Sequence, residues 1–209
     1  MTFALVVIGS YLLGAIPFSY VAGKLLKRID LREHGSGNLG ASNTFRILGA
    51  RAGAVVLVLD VAKGFFPVFV AEKLAASAGV PVYWYALPAA LAAVMGHMFS
   101  VYLRFGGGKG VATSGGAYLA LSPIAVVCAF VVWLIVFAAK RIVSLASLSA
   151  AVALPAAVYL VDRFDLWPSH WSYTVVTVVV SLVVMFKHRG NIRRLMSGSE
   201  PELARRRNA

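Results

Sequence analysis

Long apolar runs separated by short polar segments make up almost the whole chain. Six such stretches stand out, at 3–23, 52–72, 83–103, 111–139, 142–161 and 171–186. Most are close to the roughly 20 residues that an α-helix needs to cross a bilayer core. None alternates apolar and polar side chains residue by residue, as a strand of a transmembrane barrel must. The pattern predicts an all-α integral membrane protein, a helical bundle forming one membrane-embedded domain over 1–209. The first run (Phe3 to Val21) resembles a secretory signal but has neither a basic leader nor a convincing cleavage site. A retained first helix is therefore expected.

The fourth stretch decides the topology. Its 29 residues exceed one crossing, and Ser122-Pro123 interrupts it. It is either one tilted helix, giving six segments, or a hairpin, giving seven. Cytoplasmic loops carry the excess of Lys and Arg, so charge can arbitrate. With seven segments and an outside N-terminus, 17 basic residues fall inside, counting Arg205 to Arg207 of the tail. Only Lys73 and Arg163 then lie outside, with Lys63 left in the membrane. With six segments the split is nine against ten. The expectation is a seven-segment helical bundle, N-terminus outside and C-terminus cytoplasmic. Both halves of the fourth stretch are short for a full crossing, which leaves one of them free to be re-entrant.

Composition agrees and narrows the partners. Hydrophobic residues make up 60% and charged residues 13%, more apolar surface than a soluble domain of 209 residues can hide. The net charge is +12, but the basic residues sit at the ends of apolar runs and form no continuous stripe. They suit anionic headgroups and anionic substrates, with no nucleic-acid partner expected. The single cysteine, Cys128, lies in an apolar run, allows no intrachain disulfide and is given no role.

Three polar segments on the predicted cytoplasmic side have the chemistry of a phosphate site. In the first, His34 to Arg46, glycines let backbone N–H groups converge on an anion while Ser and Asn add neutral donors. Arg46 can fork onto a phosphate if a following helix start places it there. The second, Phe105 to Gly116, carries Lys109 inside a glycine run ahead of a helix start. It fails the nucleotide-binding pattern, since Gly110 rather than Ser or Thr follows the lysine and Leu103 stands where the first glycine is required. In the third, Lys187 to Glu200, His188 and Asn191 are three residues apart and would share a helix face. Ser144 and Ser147, just after the Lys140-Arg141 turn, can reach the same place. Each segment also has a plainer reading, as a flexible turn, a hinge or a basic anchor for lipid.

Other polar residues are read conservatively. His97 is expected to be a buried histidine bonding between helices. Asp60 and Lys63, spaced i,i+3 in the second stretch, are expected to neutralise each other, although an intramembrane ionisable pair is a functional candidate by default. His170, Trp167 and Trp171 suggest an outer interfacial belt.

No GxSxG elbow is present, no cluster of His, Cys or carboxylates has metal spacing, and no histidine has an aspartate five positions on. No metal or other cofactor is expected. The segments Ser36-Gly-Asn-Leu-Gly-Ala-Ser-Asn43, Gly96-His97 with Phe105-Gly-Gly-Gly-Lys-Gly-Val-Ala-Thr113, and Lys187-His-Arg-Gly-Asn-Ile-Arg-Arg-Leu195 with Gly198 and Glu200 resemble three motifs of one family. That family is the bacterial acyl-phosphate-dependent glycerol-3-phosphate acyltransferases. The similarity extends over nearly the whole chain and includes Asp60-Val-Ala-Lys63-Gly64.

The resemblance implies an enzyme of the bacterial cytoplasmic (inner) membrane with its active site on the cytoplasmic side. It implies transfer of a fatty acyl group from acyl phosphate to the 1-hydroxyl of glycerol 3-phosphate, giving lysophosphatidate. Acyl phosphate has a good leaving group, so positioning and charge stabilisation suffice without a covalent acyl-enzyme. On this reading Lys109, His188 and Asn191 are catalytic, with Arg46 and Ser144 on the phosphoryl oxygens. The donor phosphate rests on Ser36, Gly37, Asn38, Gly40, Ala41, Ser42 and Asn43 and on Gly107, Gly108 and Gly110. Thr113 and Arg193 complete the substrate-binding set, the leaving phosphate or His188 takes the hydroxyl proton, and a monomer is expected. Two rivals stay open: a membrane transporter of organic phosphates, and an acyltransferase using acyl-CoA or acyl carrier protein.

Overall fold

A computed structural model describes residues 2–168 and 170–202. Arg205 to Arg207 of the charge count lie outside the described residues. Among the described residues the regular structure is helical, apart from one isolated bridge between Ser100 and Gly106.

The first apolar run is two helices rather than one, α1 (Thr2–Ala15) and α2 (Phe18–Lys27), because Pro17 disfavours helical geometry at Ile16. The break exposes backbone carbonyls, and buried donors satisfy them. Ser100 Oγ donates to the Ala15 carbonyl at 2.6 Å, and Lys63 Nζ donates to that of Ile16 at 2.8 Å. A short helix follows, α3 (Ala41–Leu48), and then the long α4 (Ala50–Ser77). The third run is helical only as α5 (Tyr83–Met98); residues 101–103 form a 3₁₀ turn instead.

The fourth run divides at Ser122, as a hairpin requires, into α6 (Val111–Leu121) and α7 (Pro123–Lys140). Then come α8 (Val143–Arg163), α9 (Trp171–Lys187) and α10 (Arg189–Met196), the last two meeting at a bend of 62°. Among the described residues, four segments can cross a bilayer by length and composition: Thr2–Lys27 through its break, Ala50–Ser77, Pro123–Lys140 and Val143–Arg163. The bent pair makes a fifth. With eleven residues α6 is only about 16 Å long, against a hydrocarbon core of about 30 Å.

Small residues hold the bundle together. Lipid tails give apolar side chains no reason to prefer a helix partner, so close backbone approach must supply the contact energy. A β-carbon added at Gly64 would lie 2.0 Å from the Thr113 carbonyl oxygen, and one at Gly116 2.0 Å from that of Val61. Helices α4 and α6 therefore touch backbone to backbone. Gly14 and Gly96 do the same for α1 and α5, meeting the Ala93 and Tyr11 carbonyls at 2.1 and 2.2 Å. Large apolar side chains point outward instead, with Leu25 77% and Ile135 63% exposed, as a lipid-facing surface allows.

Gly116→Ala should thus lower the unfolding temperature in detergent. The gain in helix propensity is at most about 1 kcal/mol, whereas overpacking a backbone contact costs about 1–3 kcal/mol or more. Gly9→Ala, where an added carbon meets nothing within 4 Å, should be neutral or slightly stabilising in the same melt.

Candidate active site

Four helices begin around one cavity, and none of the four is capped by a side chain. The residues before the first turns of α3, α6, α8 and α10 are Gly40, Gly110, Ile142 and His188; none makes a side-chain cap bond, and no first turn contains an acid. Ala41, Val111, Val143 and Asn191, from those first turns, all line one cavity. Uncapped starts leave backbone N–H groups and the positive ends of helix dipoles available to an anion. Gly110, at φ +81°, turns the chain into α6 in a conformation that a residue with a β-carbon resists.

Local bonds fold each loop onto this point. Asn43 is buried at the base of the first loop. It accepts from the Ser36 N–H at 3.0 Å and donates to the carbonyls of Leu31 and His34 at 3.2 and 3.0 Å. Its amide is thus occupied in shaping the loop that presents Ser36, Asn38, Gly40, Ala41, Ser42 and Arg46 to the cavity. Ser19 and Thr44 bond at 2.7 Å and tie α3 to α2. In the second loop the Gly108 N–H donates to the His97 carbonyl at 3.1 Å, and Lys187 Nζ to that of Met98 at 2.8 Å.

The third segment closes the site through a carboxylate. Gly198, at φ +68°, turns the chain back so that Glu200 returns beneath α10. Its Oε1 accepts from Asn191 Nδ2 and from Ser144 Oγ, both at 2.6 Å, and its Oε2 accepts from Arg194 Nε at 2.7 Å. Lys109 Nζ donates to Asn191 Oδ1 at 2.6 Å, which joins the second loop to the third. His188 is buried, with Nδ1 2.8 Å from the Val184 carbonyl. A carbonyl can only accept, so Nδ1 carries hydrogen and Nε2 of the neutral ring is left with a free lone pair.

These residues form the polar end of a cavity of about 990 Å³. The rest of its wall is mostly apolar, with Leu57 and Val61 of α4, Leu119 of α6, Phe130, Trp133 and Phe137 of α7, Leu154 of α8 and Val180 of α9. Trp133 is held by a bond from Nε1 to Ser147 Oγ at 3.3 Å and stacks on Phe137, with centroids 4.8 Å apart.

Five expected site residues do not reach this wall: Gly37, Gly107, Gly108, Thr113 and Arg193. Gly107 and Gly108 press instead on the end of α5, where an added β-carbon would meet the His97 carbonyl at 2.3 Å and the His97 ring at 2.1 Å. Thr113 is fully buried in the α4–α6 contact. Arg193 points away from the His188–Asn191 face, and Arg194, three residues after Asn191, takes the place. Extending the i,i+3 spacing one step further would have found Arg194. Glu200 had no spacing signal, because it comes to the site through a turn; only the motif resemblance included it.

The polar end carries Arg46, Lys109 and Arg194 around the carboxylate of Glu200. Burial pushes Lys109 down to about 8; Glu200 opposes that fall, while Arg194 and Arg46 add to it. Burial alone would raise the Glu200 carboxyl, but bonds from Ser144, Asn191 and Arg194 hold it below its ordinary value.

Fold and site together define a membrane-embedded protein whose cavity can take an anionic group at one end and an apolar chain along the remainder. The chain belongs to the glycerol-3-phosphate acyltransferase family, whose profile matches residues 4–198. It is 44% identical over 200 residues to the glycerol-3-phosphate acyltransferase of Geobacillus kaustophilus, covering 96% of this chain and 95% of that one. The corresponding protein of Halalkalibacterium halodurans is 41% identical over 203 residues, covering 97% and 96%. The crystal structure of PlsY (YgiH), an integral membrane glycerol 3-phosphate acyltransferase, in its glycerol 3-phosphate form superposes with a TM-score of 0.86. The identity is 39%, over 98% of this chain and 96% of that one. Its lysophosphatidic acid form gives a TM-score of 0.83 at 38% identity, with the same coverage.

Two outcomes follow from the electrostatics. Lys109 is charged below about pH 8 and loses its proton above it, so calorimetric titration should show affinity for a phosphate monoester falling above that pH. In Lys109→Arg the fall should disappear from this range, because guanidinium stays charged. Arg194→Ala should weaken the same binding about tenfold, the loss of a charged hydrogen bond of about 1.5 kcal/mol, while Arg193→Ala leaves it near wild type.

Proposed function

We propose that the protein transfers a fatty acyl group from acyl phosphate to the 1-hydroxyl of glycerol 3-phosphate, the first step of phospholipid synthesis. The observation that carries this reading is the two-part cavity, cationic and uncapped at one end and apolar along the rest. Both substrates bear phosphate, and one bears an acyl chain that fits against Phe130, Trp133 and Leu154. In the reaction the glycerol hydroxyl oxygen forms a bond to the acyl carbon. The bond from that carbon to the phosphate oxygen breaks, its electron pair leaves with phosphate, and lysophosphatidate is released. The leaving phosphate takes the hydroxyl proton, with Nε2 of His188 as the second acceptor in reach.

Lys109, Arg46, Ser144, His188 and Asn191 hold the phosphoryl oxygens of glycerol 3-phosphate and of the transferring group. The Ser36–Asn43 loop and the start of α6 cradle the donor phosphate. Catalysis then rests on positioning and on fixed positive dipoles, with no acyl-enzyme.

We also infer seven apolar segments, formed by α1 with α2, then α4, α5, α6, α7, α8 and α9. The N-terminus lies outside, the site faces the cytoplasm at the inner membrane, and the protein is a monomer. The shortness of α6 supports a re-entrant hairpin with α7, tolerated because irregular backbone there lines a cavity.

Purified protein should convert glycerol 3-phosphate and palmitoyl phosphate to lysophosphatidate, and Lys109→Ala should reduce turnover at least a hundredfold. Equal product from palmitoyl-CoA would overturn the donor. No product from either, with uptake of organic phosphate into proteoliposomes, would establish a transporter instead.

A further inference from the structure

Beneath the two glycine-bearing loops lies a charged cluster that the transfer chemistry above does not use. Lys63 Nζ and Asp60 Oδ1 are 2.8 Å apart on α4, and His97 Nδ1 is 3.6 Å from the same oxygen. All three residues are at most 7% exposed. Charges at this depth cost more than they return as simple helix glue, since a well-packed apolar pair serves as well or better. What distinguishes the cluster is where its remaining contacts go. Lys63 donates to the Ile16 carbonyl at the break between α1 and α2. The His97 carbonyl accepts from Gly108, and the His97 ring lies against it. A β-carbon there would meet Nε2 at 2.1 Å and the Leu39 carbonyl at 2.5 Å.

Gly108 is therefore wedged between the His97 ring and the first loop, and Lys109 departs from that wedge toward Asn191. Asp60 and His97 also form part of the wall of the large cavity. A void of about 10 Å³, near the space of one water, is lined jointly by the cluster, the Ala15–Phe18 break and Gly107 and Gly108.

We propose that Asp60, Lys63 and His97 are a positioning unit for acyl transfer, holding Gly108 against the end of α5 so that Lys109 presents its ammonium to the phosphate. Asp60 orients the His97 ring, and Lys63 anchors the carboxylate to the broken first segment. The cluster touches no reacting atom. It rests on the proposed reaction for its kinetic readout but not for its geometry.

The test is Asp60→Leu combined with Lys63→Met, which removes the pair as a unit and leaves no lone buried charge. The expected result is a protein that melts within a few degrees of wild type, with KM for glycerol 3-phosphate raised at least tenfold and kcat changed less. The alkaline limb of kcat/KM near pH 8 should also move upward, as Lys109 is released toward water. The charged groups facing Lys109, namely Glu200, Arg194, Arg46 and His188, are unaltered in this variant. Lys63→Arg, which keeps the pair, should retain wild-type KM and limb.

A folded double variant with unchanged KM and pH profile would overturn the proposal and leave the cluster a stabiliser of helix packing. Should the double variant not fold, His97→Asn decides. It keeps a polar side chain near Asp60 but withdraws the ring from Gly108, and an unchanged KM and limb there sinks the idea equally. Wild-type turnover is measured first. Its absence would overturn the substrate assignment alone, and positioning would then be read from calorimetric titration of the same variants with inorganic phosphate, where a tenfold weaker affinity is expected and an unchanged one refutes it.

Discussion

A chain in lipid must satisfy its backbone hydrogen bonds internally, and this protein gathers four helix starts around one polar cavity. Helices α3, α6, α8 and α10 all start there without a capping side chain. In hydrocarbon such starts would be prohibitive; around a polar cavity they become donors waiting for an anion. The rest of the architecture follows from keeping that arrangement in place. Glycine contacts draw α1 to α5 and α4 to α6, which fixes where α6 begins. The carbonyls freed by the α1–α2 break are met by Ser100 and Lys63, so the irregularity is confined.

A cavity built this way needs little further chemistry. Its cations are few, and Lys109 is held partly out of water, which makes it quick to lose its proton when the site is empty and strongly favoured as an ammonium once an anion arrives. Glu200 limits the mutual repulsion of Lys109, Arg46 and Arg194 and fixes Ser144 and Asn191 at the same time. A single carboxylate thus links the tail, α8 and α10. The proposed acyl phosphate donor would need no protein nucleophile in such a field, since its leaving group is already good.

Much of this was legible from residue order. The apolar runs, the Ser122-Pro123 break and the His188–Asn191 face are local properties, set by helix period and by proline sterics. The Asp60–Lys63 pair was readable for the same reason. The third member, His97, was expected to bond between helices, and its partner across α4 and α5 emerged only on folding. Gly107 and Gly108 invited a different reading, as an anion nest. A glycine run looks the same in sequence whether its missing side chains make room for a ligand or for a neighbouring histidine ring.

By itself the sequence determined the solvent of this protein, its helical class, the polar segments that gather and the family whose motifs they carry. Those features depend on composition and on spacings of a few residues. Tertiary structure alone decided which polar groups line the cavity: Arg194 rather than Arg193, and Glu200 returned by a turn at Gly198. It also decided that Asn43 shapes its loop and that Gly108 rests on His97. The physical reason is that facing is a matter of helix rotation and crossing. Both are set by backbone contacts between residues far apart in the chain, such as Gly64 with Thr113 and Gly14 with Ala93.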